Sequence, residues 1–142
     1  MRTYVIDTSV VVKWFSRSNE GDLEKALMLR KLHLQRECRL ISCDLLFYEL
    51  GNSLRHNPNL SKEDVVDAEK SILKMRIEMI RPTEEIVESS VSISYQYDIT
   101  FYDACFIAQA KLLSCELITA DMKCSKKVSG LEWIVPLSKW NI

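Results

Sequence analysis

Tyr4-Val5-Ile6-Asp7-Thr8-Ser9 is the stretch that decides the fold. Three β-favouring apolar residues end abruptly in an acid and two hydroxyls, and a second apolar run, Val10 to Phe15, follows at once with helical character. A buried strand that delivers straight into a helix is the elementary unit of an open α/β sheet. Such sheets place their chemistry at the carboxyl ends of the strands. Taken alone, Asp7 or Thr8 needs no more explanation than a cap on the next helix. What matters is whether other acids converge on the same edge.

Outward from that stretch, short β-rich runs alternate with helical ones. Strands are expected at Thr3 to Asp7, Arg39 to Ser42, Met79 to Arg81, Glu116 to Thr119 and Glu132 to Val135. Between them, residues 22–36 carry leucines at helical spacing. Asp44 opens a helix that His56-Asn57-Pro58-Asn59 breaks. Ser61-Lys62-Glu63-Asp64 caps a helix predicted to run to about Glu78, and Thr83 and Thr100 cap two more. A short polar helix is expected over 121–127. The alternation predicts one α/β domain over residues 1–142, a central parallel sheet of about five short strands between two helical layers, with right-handed crossovers.

The composition fits that reading. A chain of 142 residues with 47% apolar and 27% charged residues buries an ordinary single core. The net charge of −1 does not announce a nucleic-acid binder, yet a local acidic site can hide a basic rim in the total. Asp7 interrupts the first apolar run too early for a signal peptide. No run reaches the roughly 20 apolar residues that span a bilayer, so no membrane partner is expected. Five cysteines, an odd number without CxxC spacing, read as reduced thiols in a cytoplasmic protein, with a zinc site the sharper alternative. His33 and His56 read as helix-surface residues rather than ligands.

Four acids need an explanation. Glu49 has Leu45, Leu46, Asn52 and Ser53 at helical neighbour spacing and no basic partner, so it stands unpaired beside an apolar stripe. Asp103 has capping-box spacing from Thr100, yet Phe106 and Ile107 follow it, which places it at the buried start of a helix. Asp121, like Asp7, follows directly on an expected strand. One cap explains one acid. Three acids at strand ends or helix starts, plus an unpaired helical Glu, in a fold whose strand ends all point one way, are better explained by one site. Two carboxylates about 4 Å apart repel by roughly 4 kcal/mol at an effective dielectric near 20. Either a proton or a cation must compensate, and an all-oxygen set suits Mg²⁺ or Mn²⁺.

With these pieces in register, the chain resembles the PIN domain family, and within it the small VapC-type toxins of prokaryotic toxin–antitoxin pairs. The resemblance rests on Val5-Ile6-Asp7-Thr8-Ser9, on Leu46-Phe47-Tyr48-Glu49-Leu50-Gly51-Asn52-Ser53-Leu54, on Thr100-Phe101-Tyr102-Asp103-Ala104 and on Leu117-Ile118-Thr119-Ala120-Asp121. It spans essentially the whole chain. Asp44 departs from it, standing where the family often has proline, and leaves the acids untouched. The resemblance implies a metal-dependent endoribonuclease in which Asp7, Glu49, Asp103 and Asp121 hold one or two Mg²⁺ or Mn²⁺ ions, directly or through water. Thr8, Ser9 or Thr119 would orient carboxylates or water, with Ser9 the favoured hydroxyl, and Asn52 would support Glu49.

RNA approaching an acidic pit needs basic groups at the rim. Lys13, Arg17, Arg55, Lys111, Lys123, Lys126 and Lys127 are the candidates. Tyr102, Trp14 and Phe15 offer rings for base stacking, although the last two sit in an apolar helix where core packing is the simpler reading. The resemblance further implies a homodimer and a cognate antitoxin that places a basic side chain among the carboxylates. The rival readings are few. An aspartate-nucleophile phosphatase would need a second acid where Ser9 stands. A phosphoacceptor domain would pair two acids near the first strand. A catalytically silent PIN-like scaffold binding RNA or protein would have lost one or more of the four acids.

Overall fold

In the computed structural model, which describes residues 1–16 and 21–142, five strands form one sheet in the order β3-β2-β1-β4-β5, and every pairing is parallel. β1 (Arg2–Ile6) is central. Its Tyr4, Val5 and Ile6 are buried, as a strand covered on both faces requires. β2 (Cys38–Cys43) flanks it with Val5 opposite Ile41, and β4 (Glu116–Thr119) flanks the other side with Val5 opposite Leu117. The edge strands β3 (Glu78–Ile80) and β5 (Ile134–Pro136) have three residues each, and β5 ends in a proline. Short, proline-blunted edges resist pairing with other chains.

The order of the strands fixes where a site can lie. From β1 the chain builds outward through β2 to β3, then crosses back to lay β4 on the other side of β1. The direction reverses between β1 and β4. At such a switch point the two strand ends diverge into helices on opposite faces, leaving a crevice at the carboxyl edge.

Helices α1 (Thr8–Ser16) and α2 (Leu23–Leu34) pack on each other and on β4 and β2, and α1 also packs on α3 (Leu45–Arg55), which α4 (Lys62–Lys74) covers. α6 (Phe101–Leu112) lies across β1, β2 and β4, with α5 (Glu84–Tyr97) along it. α7 (Met122–Lys127) precedes β5 and a final 3₁₀ turn at Leu137–Lys139. Trp14 is 1% exposed and donates its indole N–H to the carbonyl of Ala26 at 2.7 Å, tying α1 to α2. Phe15 packs edge-on against it. Both rings therefore serve the packing of α1 and do not stand free for bases. His33 joins three elements. Its Nδ1 accepts from the Leu40 amide at 3.1 Å, and its Nε2 lies 2.7 Å from the Met75 carbonyl.

Most boundaries shift by a residue or two from the sequence expectation, and two of the departures have a clear local cause. α4 ends at Lys74 rather than near Glu78, because Arg76 takes a left-handed φ of 59° and turns the chain into β3. Glu78 then sits on the sheet, paired with Arg39 of β2. The last strand begins at Ile134, after Trp133, whose indole N–H instead donates to the Ile107 carbonyl of α6 at 3.1 Å. All five cysteines are free thiols. Among the described residues no helix is long and apolar enough to cross a membrane.

Candidate active site

The crevice at the switch point is a pit of about 470 Å³ lined by Asp7, Glu49, Asp103 and Asp121 together with Thr8, Ser9 and Asn52. The four acids arrive from four places: the end of β1, the middle of α3, the first turn of α6 and the residue before α7. Each is set by local chemistry. Asp7 Oδ1 accepts from the Ser9 amide at 3.0 Å, which is the cap on α1. Thr100 Oγ1 accepts from the Asp103 amide at 3.1 Å and fixes the start of α6. Asp121 Oδ1 accepts from the Cys124 amide at 3.0 Å and starts α7. Asp7 and Asp121 are caps and pit-lining residues at once, since a carboxylate engaged by one oxygen keeps lone pairs for the pit.

Three hydroxyls hold the carboxylates in place. Ser9 Oγ donates to Asp7 Oδ1 and Thr119 Oγ1 donates to Asp7 Oδ2, both through short contacts. Ser9 Oγ also accepts from the Ala120 amide at 2.8 Å, and Thr119 Oγ1 accepts from the Asp121 amide at 3.1 Å. The tips of β1 and β4 are thereby locked together around Asp7. Thr8 Oγ1 donates to Glu49 Oε1 at 2.7 Å, linking α1 to α3. The sequence pointed to Asn52 for that role. Asn52 instead lines the pit one turn beyond Glu49, and its carbonyl meets His56 Nδ1 at 2.7 Å. Consecutive hydroxyls thus serve two different acids, because Thr8 and Ser9 point to different sides of the first turn of α1.

The electrostatics run one way. Burial, with the charges of Asp103 and Asp121, pushes Asp7 up to about 6 against the pull of its two hydroxyl donors. Burial raises Glu49, with Asp103 adding to it and Thr8 opposing. Burial and Asp121 raise Asp103. Carboxylates that raise one another hold uncompensated negative charge, which a cation relieves. The donor set is all oxygen and suits a hard ion. Among the described residues no three His, Cys, Asp or Glu side chains close into a ready-made cage.

The basic residues divide. Lys13 is 9% exposed and buried along α1, so the expectation of a rim position for it gives way to a place in the packed helix layer. Arg17 lies outside the described residues. Arg55 is exposed on the last turn of α3. Lys123 is exposed and, with Lys127, lines a cleft of about 200 Å³ that also includes Asp103 and Asp121. Lys127 there donates to the Asp98 carbonyl at 2.8 Å. Lys111 sits over the Trp133 ring, and Lys126 lines a separate groove beside β5. Tyr102 is exposed beside Asp103.

Four pit residues escaped the sequence reading: Val12, Ser53, His56 and Phe106. The signal for two of them was available. Glu49, Asn52, Ser53 and His56 fall at i, i+3, i+4 and i+7, one face of α3. His56 follows directly on that helix; the sequence reads as placing it on a helix surface and in a helix-breaking turn, away from the site.

A family model, that of the PIN domain, matches residues 4–129. No curated protein sequence matches the chain. Among solved structures, a toxin–antitoxin complex from Klebsiella pneumoniae is 20% identical and superposes with a TM-score of 0.69 over 98% of this chain and 99% of that one. VapC20 from Mycobacterium tuberculosis, described as a sarcin-ricin loop cleaving toxin, is 15% identical with a TM-score of 0.67 over 88% and 95%. VapBC2 from Rickettsia felis, bound to a promoter DNA fragment, is 16% identical with a TM-score of 0.67 over 98% and 99%. At these identities the likeness is one of fold.

Proposed function

The chain belongs to the PIN domain family, and from that premise we propose that it is a metal-dependent endoribonuclease, the toxin of a toxin–antitoxin pair. The observation that carries the reading is the pit itself. Four carboxylates from four elements meet at the switch point of the sheet, and burial and mutual repulsion raise three of them. Asp7, Glu49, Asp103 and Asp121 would hold one or two Mg²⁺ or Mn²⁺ ions, directly or through water. When bound, the ion acidifies water and neutralises charge on the phosphate oxygens of the scissile diester.

The chain's own groups do the positioning. Ser9 and Thr119 keep both oxygens of Asp7 oriented, and Thr8 fixes one oxygen of Glu49. Lys123, which shares a cleft with Asp103 and Asp121, and Arg55, exposed at the end of α3, would meet the flanking phosphates of the strand, and Tyr102 would offer a ring to a neighbouring base. The solved neighbours include a toxin–antitoxin complex and a toxin described as cleaving the sarcin-ricin loop. By extension this chain acts on RNA in the cytoplasm as a homodimer. It is restrained by an antitoxin whose Arg or Lys takes the place of the cation.

The test is direct. Purified free of partners, the protein is incubated with structured and single-stranded RNAs in Mg²⁺, Mn²⁺ or EDTA, beside Asp7→Asn. Cutting that requires metal and disappears in the variant is the expected result. A wild-type protein that binds neither ion would overturn the reading.

A further inference from the structure

The two histidines spend their ring nitrogens differently. His33 uses both on backbone, accepting from the Leu40 amide and facing the Met75 carbonyl. His56, just past the end of α3, uses one: its Nδ1 lies 2.7 Å from the Asn52 carbonyl, one turn back. A carbonyl oxygen only accepts, so Nδ1 carries the proton of that bond. In the neutral ring Nε2 is then a bare acceptor. Among the described residues it meets no donor, although His56 is exposed and lines the catalytic pit.

The position is held on the far side as well. The Asn57 side chain, next in sequence, donates to Ser16 Oγ at 3.0 Å and ties the end of α3 to the end of α1. Glu49, Asn52, Ser53 and His56 share one face of the helix, and all four line the pit. His56 stands about 10 Å along the helix axis from Glu49. A strand whose scissile phosphate sits at the carboxylates therefore brings a flanking nucleotide to His56. Asn52 and Ser53 are exposed too, so this wall is open and encloses no base. What an open wall with a fixed acceptor selects is a donor that recurs along the strand whatever its sequence. A phosphodiester offers none. The ribose 2′-hydroxyl offers one at every nucleotide, and DNA lacks it.

We propose that His56 Nε2 accepts the 2′-hydroxyl of a nucleotide flanking the cut, and that this wall of the pit selects RNA over DNA. The inference rests on the ribonuclease reading and deepens it. The carboxylates provide no such preference, because an ion held there engages phosphate oxygens that both nucleic acids share. The bond that caps α3 is also the bond that sets the tautomer, so the Asn52 carbonyl keeps Nε2 an acceptor. Water acidified by the ion is the attacking group. The 2′-hydroxyl is therefore needed for recognition and not for the cleavage step, which lets its removal report on recognition alone.

The experiment uses the intact protein with Mn²⁺ at about pH 8, where an imidazole is generally neutral, and an RNA strand that wild type cuts. A series of the same strand carries one 2′-deoxy substitution at each position in turn. Wild type is expected to lose about fivefold in kcat/KM at one fixed offset from the cut, the equivalent of one neutral hydrogen bond. His56→Phe keeps a ring and removes both nitrogens, and water takes the ring's place at the exposed Asn52 carbonyl. This variant is expected to cut the all-ribose strand about fivefold less efficiently. It should ignore the substitution at that offset and respond as wild type does at the others, a pattern that a merely structural role would not produce. No position-specific loss in wild type, or one that survives in His56→Phe, overturns the assignment and leaves the ribonuclease standing. If no RNA is cut, the ribonuclease reading fails separately. Binding of the same strands to Asp7→Asn protein, followed by fluorescence anisotropy, then decides the contact. A single-position penalty that disappears when His56→Phe is added supports it, and a uniform penalty, no penalty or no binding rejects it.

Discussion

Thr8 and Ser9 show how two adjacent residues of one type part company in function. Ser9 and Thr119 bracket Asp7, and Thr8 reaches across to Glu49. Residues that hold metal-binding groups typically cost about 10–100-fold in metal affinity or activity when removed. Thr8→Val should therefore weaken Mn²⁺ binding about tenfold or more by calorimetry, because losing the donor pushes the already raised Glu49 further up. Asp7 sets the pH behaviour of the metal-free protein. Its carboxyl is raised from 3.8 to about 6, so the stability it contributes is present below about pH 4 and is lost as the pH rises through about 6. In EDTA, Asp7→Asn is expected to be more stable than wild type at pH 7.5, on the order of 2 kcal/mol after discounting for partial exposure. At pH 4 the two should unfold nearly together. Denaturation with urea at the two pH values checks this, and equal gaps at both would contradict the burial argument.

At the scale of the element, each acid is positioned by the end or the face of a helix. α6 begins where it does because Asp98 takes a left-handed φ of 53° at the end of α5 and Thr100 then caps the next turn. Removing that cap with Thr100→Ala should cost about 1 kcal/mol of stability. It should lower cutting more than it lowers binding of RNA, since the first turn of α6 carries Asp103. α3 offers a contrasting case. Gly51 lies within the helix, and a Cβ there would come 3.1 Å from the Glu69 Oε2 of α4. That neighbour is the end of a flexible side chain, and alanine is favoured over glycine by about 1 kcal/mol inside a helix. Gly51→Ala is therefore expected to stabilise the protein by about 0.5 kcal/mol in thermal melts. A loss of stability would show that α3 and α4 cannot separate by the few tenths of an ångström required.

For the whole molecule, the site is a consequence of strand order. The reversal between β1 and β4 opens the crevice, and the hydroxyl bridges between their tips close it around Asp7. The folded state therefore stores carboxylate repulsion, which a bound divalent ion would relieve. Saturating Mn²⁺ at about 100 times its dissociation constant should add about 2.7 kcal/mol to the stability of wild type, seen as a rise in melting temperature. The rise should shrink sharply in Asp7→Asn. A melting temperature that ignores Mn²⁺ would mean that the pit does not bind the ion.

The sequence by itself determined the parallel α/β domain, the strand-end positions of Asp7 and Asp121 and the unpaired character of Glu49. Those features rest on local signals: apolar periodicity, capping residues and the absence of helical charge partners. Tertiary structure decided the pairings. Which of two adjacent hydroxyls meets which acid depends on how α1 and α3 are rotated against each other, and no local pattern carries that angle. Lys13 is buried and Trp14 is bonded to Ala26 because α2 and α3 pack on α1. A cavity of about 160 Å³ lined by Phe101, Cys105 and Ile86 exists only where α5, α6 and two strand ends meet. Voids belong to the fit between elements, so the residues that line them look, in sequence, like ordinary core.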